Sequence, residues 1–75
     1  MRITECRLLT QREKDIVLYI LMGKSKKEIA ERLYLSVSTI KSNVENIYRK
    51  LDVHNKAQLI VYIIKNKMVD FESDN

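Results

Sequence analysis

An all-α domain of four short helices is the fold that this sequence predicts, on three observations. The 75 residues include one glycine and no proline, so helices joined by tight turns fit better than a loop-rich fold. Helix-start signals recur along the chain, each a Ser, Thr or Asn ahead of an apolar-periodic run. Finally, Val37, Ile40, Val44, Ile47 and Leu51 step by three and four, the spacing of one inward helical stripe.

The elements follow in order. Residues 1–9 read as an N-terminal arm, with Leu8 and Leu9 packing at the edge of the body. Thr10 and Glu13 have the S/T-x-x-E spacing of a capping box, and Ile16, Val17, Ile20 and Leu21 follow as an inward face. This first helix ends where Gly23 can take the left-handed conformation. Ser25 and Glu28 repeat the box and open a second helix, about Lys26 to Leu33, that turns Ile29, Ala30 and Leu33 inward. Ser36 caps a third helix, about 37–51, whose far side presents Ser38, Ser42, Glu45, Asn46 and Arg49, with Lys41 on the flank. Two helices joined by so tight a turn have the layout of a helix-turn-helix, whose second helix can enter a DNA major groove.

Asn55 caps a fourth helix, about 56–66. Ala57, Leu59, Ile60, Val61, Tyr62, Ile63 and Ile64 cover nearly its whole circumference. A helix apolar all round is covered on more than one side. In so small a domain the second covering is expected to be another subunit, with Leu59, Ile60, Tyr62, Ile63 and Asn66 at the interface. Tyr19, Tyr34, Tyr48 and Tyr62 read as core or interface rather than as a base-stacking platform. Residues 68–75 form an acidic tail.

Charge and composition narrow the function. Residues 1–69 hold all fourteen Lys and Arg against seven acids, a charge of +7, while Asp70, Glu72 and Asp74 give the tail −3. A basic body suits a polyanion such as double-stranded DNA. The longest apolar run, Ile16 to Met22, is seven residues, well short of the ~20 that a membrane span needs. Cys6 is the only cysteine and His54 the only histidine, so neither an internal disulfide nor a metal cluster is expected. A reduced, cytoplasmic setting fits. No nucleophile, base and oxyanion donor come together, so no enzymatic activity, cofactor or small-molecule substrate is expected.

The residues also match a family pattern. Leu9-Thr10-x-Arg12-Glu13 is followed by Gly23, by Lys27-Glu28-Ile29-Ala30-x-x-Leu33 and by Ser36-x-x-Thr39-Ile40-Lys41. The pattern closes with Ile47-x-x-Lys50-Leu51-x-Val53. From about Leu8 to Lys65 the chain resembles the LuxR/GerE-type DNA-binding domain of bacterial transcription regulators. The resemblance implies four helices, the second and third forming the helix-turn-helix and the fourth pairing two subunits. Three positions depart from it: Asp52 stands where Gly is usual, Asn43 where His is frequent, and Leu59 where a small Ala is usual. In this family the domain is most often the output of a longer regulator. The initial Met and acidic tail make a stand-alone, GerE-like regulator the expectation, with an excised domain the alternative.

The resemblance places base-reading residues on the first turns of the third helix. Lys41 can donate to guanine O6 and N7, Ser42 can bond to several bases, and Glu45 can accept from cytosine N4. Lys27, Ser36, Ser38, Thr39, Asn43, Arg49, Lys50 and Lys56 are candidate phosphate contacts. Glu13 and Glu28 read as capping and bracing groups. The expected function is a homodimeric transcription regulator, with RNA polymerase a further possible partner. Two other readings stand beside it: a module that pairs with a full-length regulator and blocks it, and a sigma-factor-like promoter-reading region.

Overall fold

Each helix begins at a side chain that satisfies an orphan backbone amide. A computed structural model of the chain describes residues 8–66 in full, together with the backbone of residues 2–3 and 69–70. Helix α1 (Gln11–Leu21) starts at Thr10, whose hydroxyl accepts the Glu13 N–H at 3.2 Å while Glu13 Oε1 accepts the Thr10 N–H at 2.9 Å. Helix α2 (Lys26–Leu33) repeats this reciprocal box between Ser25 and Glu28, at 3.1 and 2.8 Å. Ser36 Oγ accepts the Thr39 N–H ahead of α3 (Val37–Leu51), and Asn55 Oδ1 accepts the Gln58 N–H ahead of α4 (Lys56–Lys65). Each such cap stabilises its helix by about 1 kcal/mol.

Three helices end alike. Gly23, Tyr34 and Asp52 take the left-handed conformation at φ 83°, 58° and 56°. After each, the next amide reaches back to the last turn: Lys24 N–H to Tyr19, Leu35 N–H to Ala30 and Val53 N–H to Tyr48, all at 2.9–3.0 Å. This closes orphan carbonyls as a Schellman motif does. Asp52 therefore ends α3 in the geometry that glycine usually supplies, and Tyr34 does the same between α2 and α3.

Helix α3 runs through the middle, against α1, α2 and α4. Its Ile40, Val44, Ile47 and Leu51 meet Ile16, Val17 and Ile20 of α1 and Ile29 and Ala30 of α2 in one buried cluster, which Leu59 and Ile63 of α4 complete. The first position of the expected stripe is a correction. Val37 is 46% exposed, because the first residue of the helix lies beyond the edge of the cluster. Leu9 is buried, but Leu8, also expected to pack, is exposed. Tyr19, Tyr48 and Tyr62 pack half-buried against the core, as read, whereas Tyr34 stands 94% exposed in its turn.

The fourth helix brings a second correction. Leu59 and Ile63, expected at a subunit interface, are fully buried inside the domain. Val61 and Ile64, which lie on the opposite side of the helix, are the exposed apolar residues instead.

The described ends also meet. Two-residue strands β1 (Arg2–Ile3) and β2 (Val69–Asp70) pair antiparallel, Arg2 opposite Asp70 and Ile3 opposite Val69. The arm and the tail are thus tied to each other at this point, beside a fold whose architecture is all-α. Cys6, Glu72 and Asp74 lie outside the described residues.

Candidate nucleic-acid interface

The inward stripe of α3 fixes what its other side shows. With Ile40, Val44, Ile47 and Leu51 buried, the helix turns Ser38, Lys41, Ser42, Glu45 and Arg49 to solvent. At 3.6 residues per turn these five fall on one broad face. Lys41, Ser42 and Glu45, the candidate base contacts, are all exposed and form no hydrogen bond or ion pair with described side chains. Arg49 Nη1 donates to Asn46 Oδ1 at 2.8 Å, which holds the guanidinium along the helix.

The flank opposite Lys41 does a different job. Ser36 Oγ donates to Thr39 Oγ1 at 2.9 Å while accepting the Thr39 amide. Asn43 Nδ2 donates to the Thr39 carbonyl at 2.7 Å. Thr39 and Asn43 are both half-buried, so these polar groups brace the first turns of α3 from within.

Lys50, expected at a phosphate, has a partner inside the domain. Its ammonium lies 2.7 Å from Glu13 Oε1, tying the end of α3 to the start of α1. Burial pushes the Glu13 carboxyl upward, but the hydrogen bonds from Lys50 and Thr10 and the charge of Lys50 outweigh it. The net effect holds its pKa below the ordinary value of 4.5. Glu28 is lowered too, chiefly by the hydrogen bond from the Ser25 amide. Both acids brace caps, as their spacing predicted.

A second basic feature lies beside α3. Lys24, Ser25, Lys26 and Lys27 surround the N-terminus of α2, and Lys56 approaches from the start of α4. Together they rim a recess of about 430 Å³ floored by Ile20, Ile29, Val44 and Tyr48. Burial raises the Tyr48 phenol above its ordinary pKa of 10.0, so its hydroxyl keeps its proton at neutral pH. Four ammonium groups near a helix N-terminus favour an anion, and a phosphate oxygen is the anion that a duplex presents along its edge. Lys27 and Lys56 were legible as phosphate candidates from the sequence. Lys24 and Lys26 were missed, although their place around the Ser25 cap was the available signal.

Helices α2 and α3, joined by the tight turn at Tyr34 and with α3 turning a polar face outward, form a helix-turn-helix, the motif by which DNA-binding domains present a recognition helix. The comparisons give its family. The model of the bacterial regulatory proteins of the luxR family (GerE) matches residues 7–63, and the chain belongs to that family. It is 40% identical over 65 residues to the oxygen regulatory protein NreC of Staphylococcus carnosus, covering 87% of this chain and 30% of that protein. It is 42% identical over 62 residues to the transcriptional regulatory protein LiaR of Bacillus subtilis, covering 83% and 29%. The chain therefore spans about a third of the length of these relatives. The solved structure of the transcription factor GerE superposes with a TM-score of 0.78 at 27% identity, over 89% of this chain and all of GerE.

Proposed function

We propose that the chain is a sequence-specific transcription regulator that binds double-stranded DNA as a homodimer with α3 in the major groove. The observation that carries this reading is the exposed α3 face bearing Lys41, Ser42 and Glu45, flanked by the lysine-rimmed recess. Lys41 donates to guanine, Ser42 bonds to a neighbouring base, and Glu45 accepts from cytosine or rejects other bases. Lys27 and Lys56, with Lys24 and Lys26, take a phosphate at the groove edge, and Ser38 and Arg49 lie within reach of the backbone on the outer side. Ser36 serves chiefly as a cap.

The outward face of α4 supports pairing. Val61 and Ile64 are exposed, and Val61 lines a shallow groove with Val53, Ala57 and Tyr62. Ile60, Tyr62 and Asn66 flank this face, with Leu59 and Ile63 supporting it from beneath. Two copies joined there place two α3 helices in successive major grooves, with half-sites about 10–10.5 bp apart. The reading assigns no catalytic role. It places the protein with DNA in the cytoplasm, where a promoter-bound dimer meets RNA polymerase.

The test is binding to DNA selected from a random duplex pool, measured at several salt concentrations. Each neutralised phosphate adds about −0.9 to the slope of log affinity against log salt. A steep slope and an enriched palindromic site support the reading, while absent or salt-independent binding overturns it. The exposed apolar face of α4 favours one other reading, a module that pairs with a full-length regulator and blocks it. DNA binding by the purified chain as a dimer excludes that role as its main one.

A further inference from the structure

Val37 departs from the inward stripe of α3, and the departure has a chemical meaning. It is a β-branched apolar residue at the first position of α3, 46% exposed, where the fold draws no core contact comparable to those of Ile40 or Val44. Such a residue neither caps the helix nor favours helix formation. Its neighbours point outward into the candidate groove: Ser38 follows it, and Lys41 stands one turn further on, about 40° around the helix axis. Val44 and Tyr48 continue the same ridge and floor the lysine-rimmed recess. Val37 thus sits at the leading end of the ridge that joins the base-reading face to the phosphate site. In a helix-turn-helix, that end of the second helix is the one that meets base edges.

An isopropyl group cannot read hydrogen-bond donors or acceptors. Among the base-pair edges in the major groove, the apolar group is the C5 methyl of thymine. We propose that Val37 packs on a thymine methyl beside the base engaged by Lys41, making the chain specific for thymine at one position of each half-site. This rests on the reading of α3 as the groove-entering helix and adds to it a residue and a base.

The experiment uses the purified full chain and a site selected from random duplex DNA. Each thymine of the selected site is replaced singly by uracil, which keeps the hydrogen-bonding edge and lacks the methyl. The wild type is expected to lose about four-fold in affinity at one thymine per half-site, the worth of one buried methyl-sized group. Val37→Ala is expected to bind uracil and thymine equally there, and Val37→Ile to restore the discrimination. Circular dichroism verifies that both variants keep the helical content of the wild type. If no uracil substitution matters, or if Val37→Ala discriminates as the wild type does, the proposal falls while DNA binding stands. If no site is enriched at all, both readings fall.

Discussion

Lys50 Nζ lies 2.7 Å from Glu13 Oε1, a contact across 37 positions of sequence that joins the last turn of α3 to the capping box of α1. Glu13 is nearly fully buried, so one carboxylate both caps a helix and clamps two helices together. Its folded pKa is lowered, so the unfolded chain binds the proton more tightly. The stabilisation is therefore complete above the ordinary value of 4.5 and is lost as pH falls through the lower folded value. Glu13→Ala is expected to cost about 1–3 kcal/mol in urea denaturation at neutral pH, from the lost cap and pair together. Lys50→Met removes two of the influences that hold the carboxyl down, so its folded pKa rises and the stability lost as pH falls toward 3 should be smaller than in the wild type, from a lower starting stability at neutral pH. Denaturation midpoints between pH 3 and 7 read both effects.

Tyr34 and Asp52 hold left-handed backbone without the freedom of glycine. Tyr34 has a side chain that is almost wholly in solvent, so removing it forfeits little burial. Tyr34→Gly is expected to stabilise the domain by about 0.5–1 kcal/mol, the relief of left-handed strain less the added freedom of the unfolded chain. Asp52→Asn keeps a residue that tolerates the conformation and removes a negative charge from the C-terminus of α3. A gain of about 0.3–1 kcal/mol is expected at low salt, shrinking as salt rises. Thermal melts at two ionic strengths distinguish the two mechanisms, since only the second responds to screening.

These elements also mark what the sequence made legible. Helix starts were readable because Thr10, Ser25, Ser36 and Asn55 each satisfy an amide three residues ahead, a relation contained in a few positions of chain. The exposed side of α3 followed from its clean stripe. Helix α4 gave no such phase, because apolar residues surround it, and nothing local separates buried Leu59 and Ile63 from exposed Val61 and Ile64. Lys50 resembled a phosphate ligand for the same reason: its partner is distant in sequence. Val37 fitted the stripe by spacing, but a stripe does not say where the neighbouring helices stop covering it.

The two kinds of lysine predict different salt behaviour. Lys27→Ala and Lys56→Ala should each make the slope of log affinity against log salt shallower by about 0.9 per bound protomer, because each removes a proposed phosphate contact. Lys50→Ala should lower stability and leave that slope unchanged, since its ammonium is held by Glu13. Fluorescence anisotropy with one labelled duplex from 50 to 300 mM salt makes the comparison. A shallower slope for Lys50→Ala would return that residue to the phosphate contacts.

The inside and outside of α4 predict opposite outcomes for neighbouring substitutions. Leu59 is fully buried, and Leu59→Ala should cost about 2–5 kcal/mol through lost contacts and the cavity left behind. Val61 is 61% exposed, so Val61→Asp should change the stability of a monomer by no more than about 0.5 kcal/mol. At a subunit interface, however, the same carboxylate faces its own copy across the two-fold axis or is stripped of water. Either effect disfavours pairing. Sedimentation of Val61→Asp and Ile64→Asp should therefore give folded monomers where the wild type is expected to give dimers, and affinity for a palindromic site should fall more than affinity for a half-site. Dimers that persist in both variants would move the pairing surface off this face of α4. Loss of pairing only with loss of helix content would mean that the face holds the domain together rather than two copies.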